Sequence, residues 1–202
     1  MAKKAKTVYM CAECGNEFPS WQGQFSYCGA WNSIVEQKVK PVQDNDARRR
    51  TTDKAAPSKL INVGTGSYTR ITSGIAELDR VLGGGIVLGS MILISGEPGI
   101  GKSTLIIQSA NSIAVNNGTV LYVSGEESEK QVKLRADRVC DNLSGDLLIF
   151  PETNLESVLM ACEQVKPKFL VIDSIQTMYS DELDNTAGSI TQIRACSNLL
   201  MK

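Results

Sequence analysis

The apolar positions change period along this chain, and each change predicts a different element. Met91-Ile92-Leu93-Ile94 is a continuous apolar run that stops at glycine-rich sequence, the pattern of a short strand buried on both faces. Residues 102–116 then place Leu105, Ile106, Ala110, Ile113 and Ala114 at spacings of one, three and four, which predicts an amphipathic helix. Thr119 to Val123 reads as strand, 128–139 as a charged helix and 147–150 as strand again. Asn154 is placed to cap a helix ending near Val165, and Phe169-Leu170-Val171-Ile172 is another buried strand. Strand and helix alternating in this way argue for a parallel α/β sheet with crossover helices.

Ahead of that pattern the chain divides differently. Residues 8–36 form a Cys/Gly/Trp-rich module whose few apolar residues (Phe18, Trp21, Trp31, Ile34) promise only a small core. Residues 37–66 are polar, with Pro41, Asp44, Asp46, Arg48, Arg49, Arg50 and Pro57, and offer too little apolar surface to offset ordering entropy; a linker is predicted. Residues 67–202 carry the α/β pattern, and 202 residues suffice for one mid-sized domain plus that small module.

Charge adds a local feature. Lys and Arg total 21 against 22 Asp and Glu, so no global field draws the chain to nucleic acid or membrane. Residues 1–60, however, hold ten basic residues against six acidic ones, and Arg48 to Arg50 read either as a solvated tether or as a phosphate-contacting arm. No apolar run approaches the roughly 18 residues of a membrane span, and Met1-Ala2-Lys3-Lys4 lacks the apolar stretch of a signal peptide, so a cytoplasmic protein without a membrane partner is expected. Thiols stay reduced there, which favours Cys11, Cys14 and Cys28 as metal ligands over disulfides. Cys140, Cys162 and Cys196 have no ligand spacing and read as buried thiols.

Between the predicted strand and helix of the first α/β unit stands Gly96-Glu97-Pro98-Gly99-Ile100-Gly101-Lys102-Ser103, matching G-x-x-x-x-G-K-[ST] in the context that pattern requires. Glycines are needed because phosphate oxygens approach the main chain closely and the loop takes backbone angles that a Cβ opposes. The N–H groups from about Gly99 to Thr104 should face the phosphates of ATP, with Lys102 at the β and γ oxygens and the Ser103 hydroxyl on Mg²⁺. The strand that starts at Phe169 delivers Asp173 at its end, where it should hold Mg²⁺ through water. Ser124-Gly125-Glu126-Glu127-Ser128 offers a carboxylate to orient the attacking water: Glu126 first, Glu127 second. Alternatively, both acids simply favour the dipole of a helix capped by Ser128.

Taken together, Cys11-Ala12-Glu13-Cys14-Gly15, Trp21-Gln22-Gly23, Cys28-Gly29-Ala30-Trp31-Asn32, the stretch Thr72 to Gly85, the phosphate loop and Ser124 to Ser128 resemble the bacterial RadA (Sms) family over nearly the whole chain. The resemblance implies a RecA-like P-loop NTPase core with helices on both sheet faces, preceded by a zinc-ribbon-like module. It implies an ATPase that processes recombination intermediates in DNA repair, stimulated by single-stranded or branched DNA. Other recombination proteins would be partners, and the full-length protein a hexamer. It gives Glu126 the water-activating role and Gln176 a part in coupling nucleotide state to DNA. Gln131 and Arg135 match the family's following helix, though exposed helix residues would look the same.

Two departures stand out. The family carries four zinc cysteines, whereas Phe25 stands where one of them belongs; with no histidine in the chain, Zn²⁺ would need Glu17, water or a neighbouring chain as fourth donor. The chain also stops at Lys202, where the family continues with more of the core and a Lon-like domain. The expectation is a truncated product lacking the strand that belongs between the phosphate-loop strand and the Asp173 strand. The competing reading is accordingly a non-catalytic fragment that binds nucleotide or DNA without efficient turnover. A small-molecule kinase would need an acceptor pocket and lid for which the sequence shows no sign.

Overall fold

The structure is a computed structural model that describes residues 6–11, 13–39, 59–62, 69–183 and 185–201. Arg48, Arg49 and Arg50 of the polar tract lie outside the described residues. The chain falls into two compact units, Met1–Ser67 and Tyr68–Lys202.

The first unit is an antiparallel ribbon. Strand β1 (Lys6–Cys11) lies between β2 (Glu17–Phe18) and β3 (Ile34–Val39), with Tyr9 opposite Phe18 and Cys11 opposite Ile34. Cys11 and Phe25 are its buried apolar side chains, and Phe25 meets the half-buried Phe18 edge to face with ring centroids 5.7 Å apart. Trp21 and Trp31, expected in the core, are 61% and 70% exposed. A module this small has too little interior to cover two indoles.

The second unit opens with two short antiparallel strands, β4 (Arg70–Ile71) and β5 (Ile86–Val87), flanking the short helix α1 (Ala76–Val81). Asp79 fixes the turn into α1, accepting hydrogen bonds from Thr72 Oγ1 at 2.5 Å and from the Ser73 N–H at 2.8 Å. The remainder alternates helix and strand: α2 (Lys102–Asn117), β6 (Val120–Ser124), α3 (Glu129–Val139), β7 (Leu147–Pro151), α4 (Leu155–Val165), β8 (Phe169–Asp173) and α5 (Ile190–Leu200).

The three long strands form a parallel sheet in the order β7-β6-β8, and every residue of central β6 is buried. Because side chains alternate across a strand, Val120 and Tyr122 face one side and Leu121 and Val123 the other. The first side packs against Ile107, Ala110 and Ile113 of α2 and Val132 and Ala136 of α3. The second packs against Leu155 and Val158 of α4 and Cys196 of α5. Mixed α/β structure, a parallel sheet and helices on both faces are thus as expected. Of the three thiols expected to be buried only Cys196 is; Cys140 and Cys162 are half-buried in or beside helices, and burial raises each thiol pKa.

One expected element is missing. Residues 91–97 have no regular structure, and Leu93 is 79% exposed. A continuous apolar run is necessary for a buried strand but not sufficient, since backbone N–H and C=O groups need a neighbouring strand. Among the described residues no strand pairs with this run, and β8 pairs only with β6.

Candidate nucleotide and metal sites

Helix α2 starts differently from its neighbours. Helices α4 and α5 are capped by side chains, Asn154 Oδ1 accepting from the Ser157 N–H at 2.8 Å and Ser189 Oγ from the Gln192 N–H at 3.3 Å. The cap of α2 is Gly101 at φ 102°, with no capping side chain. Gly99 also has φ 79°, and a Cβ on either glycine would touch nothing, so it is the left-handed backbone that requires glycine there. The first-turn N–H groups at Lys102, Ser103 and Thr104 therefore keep their donors for an anion at the positive end of a 16-residue helix. Lys102 Nζ folds back to donate to the carbonyls of Gly96 and Glu97 at 2.8 and 2.9 Å, which holds its charge over the same loop. Glu97, Pro98 and Ile100 are exposed on the loop.

Only Gly118 and Thr119 separate α2 from β6, so the helix must run back antiparallel to the strand it packs on. Its phosphate-loop end then lies at the C-terminal edge of the sheet. At that edge Ser124 and Asp173 are register partners on adjacent strands. The Tyr122 hydroxyl donates to Asp173 Oδ2 at 2.5 Å. Burial first, and the bond to Asp173 second, push the Tyr122 pKa far above that of a free phenol, which keeps it a donor.

The two acids after β6 have different partners. Glu126 is exposed and accepts from Ser174 Oγ at 2.9 Å. Glu127 pairs with Arg135, whose Nη1 is buried without a hydrogen-bond partner. Gly125, just before them, approaches the turn after β8 too closely for a side chain: a Cβ there would lie 1.9 Å from Thr177 Oγ1. Gln131 Oε1 accepts from the Ser128 N–H at 2.9 Å and from Ser128 Oγ at 2.8 Å, so its amide is engaged at the start of α3. Gln176 is exposed in the turn after β8. The chain beyond that turn is stapled by Gln192, fully buried on α5, whose Nε2 donates to the carbonyls of Ser180, Leu183 and Asn185 while its Oε1 accepts from the Ser180 N–H. Tyr122, Ser174 and Gln192 were not singled out from the sequence. A tyrosine inside an apolar strand was the available signal, because a buried hydroxyl must find a partner.

In the ribbon, the sulfurs of Cys11, Cys14 and Cys28 all lie within 4.8 Å of one another, and Cys11 Sγ is 3.6 Å from Cys28 Sγ. Burial raises the Cys11 thiol, but hydrogen bonds from Ser33, from the backbone of Cys14 and Glu13 and from Cys28 outweigh it and bring its pKa down to about 7. At Cys28 the backbone bond from Ala30 lowers the pKa, while burial and the neighbouring Cys11 and Cys14 raise it further, so the net shift is upward. Three thiolates suit zinc, and tetrahedral bonds of about 2.3 Å would set sulfurs about 3.8 Å apart, so the residues present fit such an ion. Glu17 is no part of the cluster; among the described residues no carboxylate joins the three sulfurs.

Comparison with known proteins gives the family. Residues 56–199 match the AAA domain family, and residues 9–36 match the rubredoxin metal binding domain. The chain belongs to the AAA domain family, the class of P-loop ATPases its loop and sheet define, with a Cys-rich ribbon ahead of it. Over its whole length it is similar to the DNA repair protein RadA: 42% identical to that of Bacillus subtilis, matching 98% of this chain, and 43% and 45% identical to those of Listeria monocytogenes and Streptococcus pyogenes serotype M1, each matching 100% of it. The resemblance read from the motifs is therefore borne out. The chain spans 44% of the length of each of these relatives. No helix among the described residues is long and apolar enough to cross a membrane.

Proposed function

We propose that this chain is the nucleotide-binding part of a RadA-type DNA repair ATPase, whose ATP hydrolysis is stimulated by single-stranded or branched DNA. The observation that carries the reading is the convergence at one sheet edge of the uncapped α2 N-terminus, the in-register Asp173 and the exposed Glu126. Main-chain N–H groups from Gly99 to Thr104 bind the triphosphate, and Lys102 exchanges its two carbonyl partners for β and γ oxygens. Ser103 and Asp173 offer the hard oxygen donors that Mg²⁺ prefers, and the ion, when bound, draws charge from the γ-phosphate. Tyr122 holds one oxygen of Asp173, and the other would remain free to accept from the ion's water. Glu126 orients the attacking water. It is favoured over Glu127, whose carboxylate is committed to Arg135.

Gln176, in the anchored turn beyond β8, reports nucleotide state to DNA, and Gln131 and Arg135 brace the start of α3 behind Glu127. DNA, recombination proteins and a hexameric assembly belong to the longer protein, as does cytoplasmic residence. Residues 8–36, 37–66 and 67–202 serve as metal-binding head, tether and ATPase core, with Zn²⁺ the ion of the head. The competing reading, a part that binds nucleotide without efficient turnover, is favoured by one observation: Met91–Ile94, which leads into the loop, is unpaired. Phosphate release from Mg-ATP by the 202-residue chain, with and without single-stranded DNA, separates the two. DNA-accelerated release abolished by Glu126→Gln supports the ATPase; bound nucleotide without release supports the other.

A further inference from the structure

The two loops of the ribbon share one hydrogen-bond pattern. In the first, the Cys11 N–H donates to Asn16 O at 3.0 Å and the Gly15 N–H to Cys11 O at 2.8 Å. In the second, the Phe25 N–H donates to Ala30 O at 2.8 Å and the Gly29 N–H to Phe25 O at 2.8 Å. Each loop bonds residue i to i+5 and i+4 to i, each has a cysteine at i+3 (Cys14, Cys28), and each closes on a left-handed glycine, Gly15 at φ 67° and Gly29 at φ 73°. The backbone of the second loop is thus folded as a metal-binding loop, and Phe25 occupies the position that Cys11 holds in the first. Its ring is buried against Phe18, while Cys14 is half-buried and Cys28 is exposed.

We propose that the ribbon holds a divalent thiophilic ion on Cys11, Cys14 and Cys28 alone, with a fourth coordination position open to exchangeable donors from solvent. This rests on reading the ribbon as a metal module. Three observations support it. The sulfurs are close enough to share an ion. Two of them already receive polar hydrogen bonds that stabilise thiolate charge, Ser33 Oγ lying 3.2 Å from Cys11 Sγ and Asn16 Nδ2 3.6 Å from Cys14 Sγ. No imidazole exists in the chain, and among the described residues no carboxylate completes the set. A three-thiolate site differs chemically from a closed one: an open position admits water and small anions or thiols, and gives chelators a path of attack that a filled tetrahedron denies.

Cobalt(II) loaded into the reduced full chain reports the difference directly. The expected result is one ion per chain, with d–d absorption bands that move when azide or 2-mercaptoethanol is added and return on its removal. Phe25→Cys should make the bands indifferent to added ligand and slow the transfer of zinc to a chromogenic chelator at least tenfold. Should Phe25→Cys misfold, the wild-type titration still decides. Bands unmoved by either ligand mean that a protein group fills the fourth position, which overturns the open site but keeps the metal module. Failure to bind cobalt at all overturns both.

Discussion

Tyr122 shows how one side chain can serve both the core and the proposed nucleotide site. Its ring fills the face of the sheet covered by α2 and α3, while its hydroxyl reaches the strand end to hold Asp173. Tyr122→Phe keeps the ring and removes the donor, so the half-buried carboxylate loses a partner that water only partly replaces. A loss of about 1–2 kcal/mol in stability is expected by urea denaturation, since hydrogen bonds to charged groups contribute about 1.5–3 kcal/mol. The Mg²⁺ concentration needed for nucleotide binding should rise with it, and an unchanged Mg²⁺ requirement would detach Tyr122 from the site. The place of Asp173 at a strand end was legible in the sequence, because the apolar run from Phe169 stops at that acid. Its tyrosine partner was not, because the two are 51 residues apart and their adjacency depends on β6 and β8 pairing in register.

At the scale of elements, local signals proved informative where the physics is local. Asn154 caps α4 as its side chain allows, and α2, β6, α3, β7 and β8 lie within a residue or two of the bounds that periodicity suggests. The segment Met91–Ile94 shows the limit. Apolar content is written in the sequence, whereas the partner that would turn it into a strand is not, and without hydrogen bonds to a neighbour the run stays exposed. Hydrogen exchange read by mass spectrometry should find the amides of 91–94 exchanging early and those of Val120–Ser124 last, β6 being paired on both sides. Slow exchange at 91–94 would show that the run is paired after all. The ribbon was legible as a metal-loop module from its cysteine spacing. Its actual core was not, because Trp21 and Trp31 lie exposed against what their hydrophobicity suggests, and Phe25, read only as a missing ligand, is buried.

For the molecule as a whole, the two units carry separable chemistry: three clustered cysteine sulfurs in one, and a helix N-terminus at a parallel sheet edge in the other. Everything proposed for the second unit depends on Mg-nucleotide binding at Gly96 to Ser103 with Asp173 opposite. Isothermal titration of the 202-residue chain with a Mg²⁺-bound, slowly hydrolysed ATP analogue tests this most directly. Saturable one-to-one binding is expected, weakened at least tenfold by Lys102→Ala, with Asp173→Asn removing most of its Mg²⁺ dependence. Folded protein that gives no binding heat, or that binds equally well without the lysine, would contradict the account.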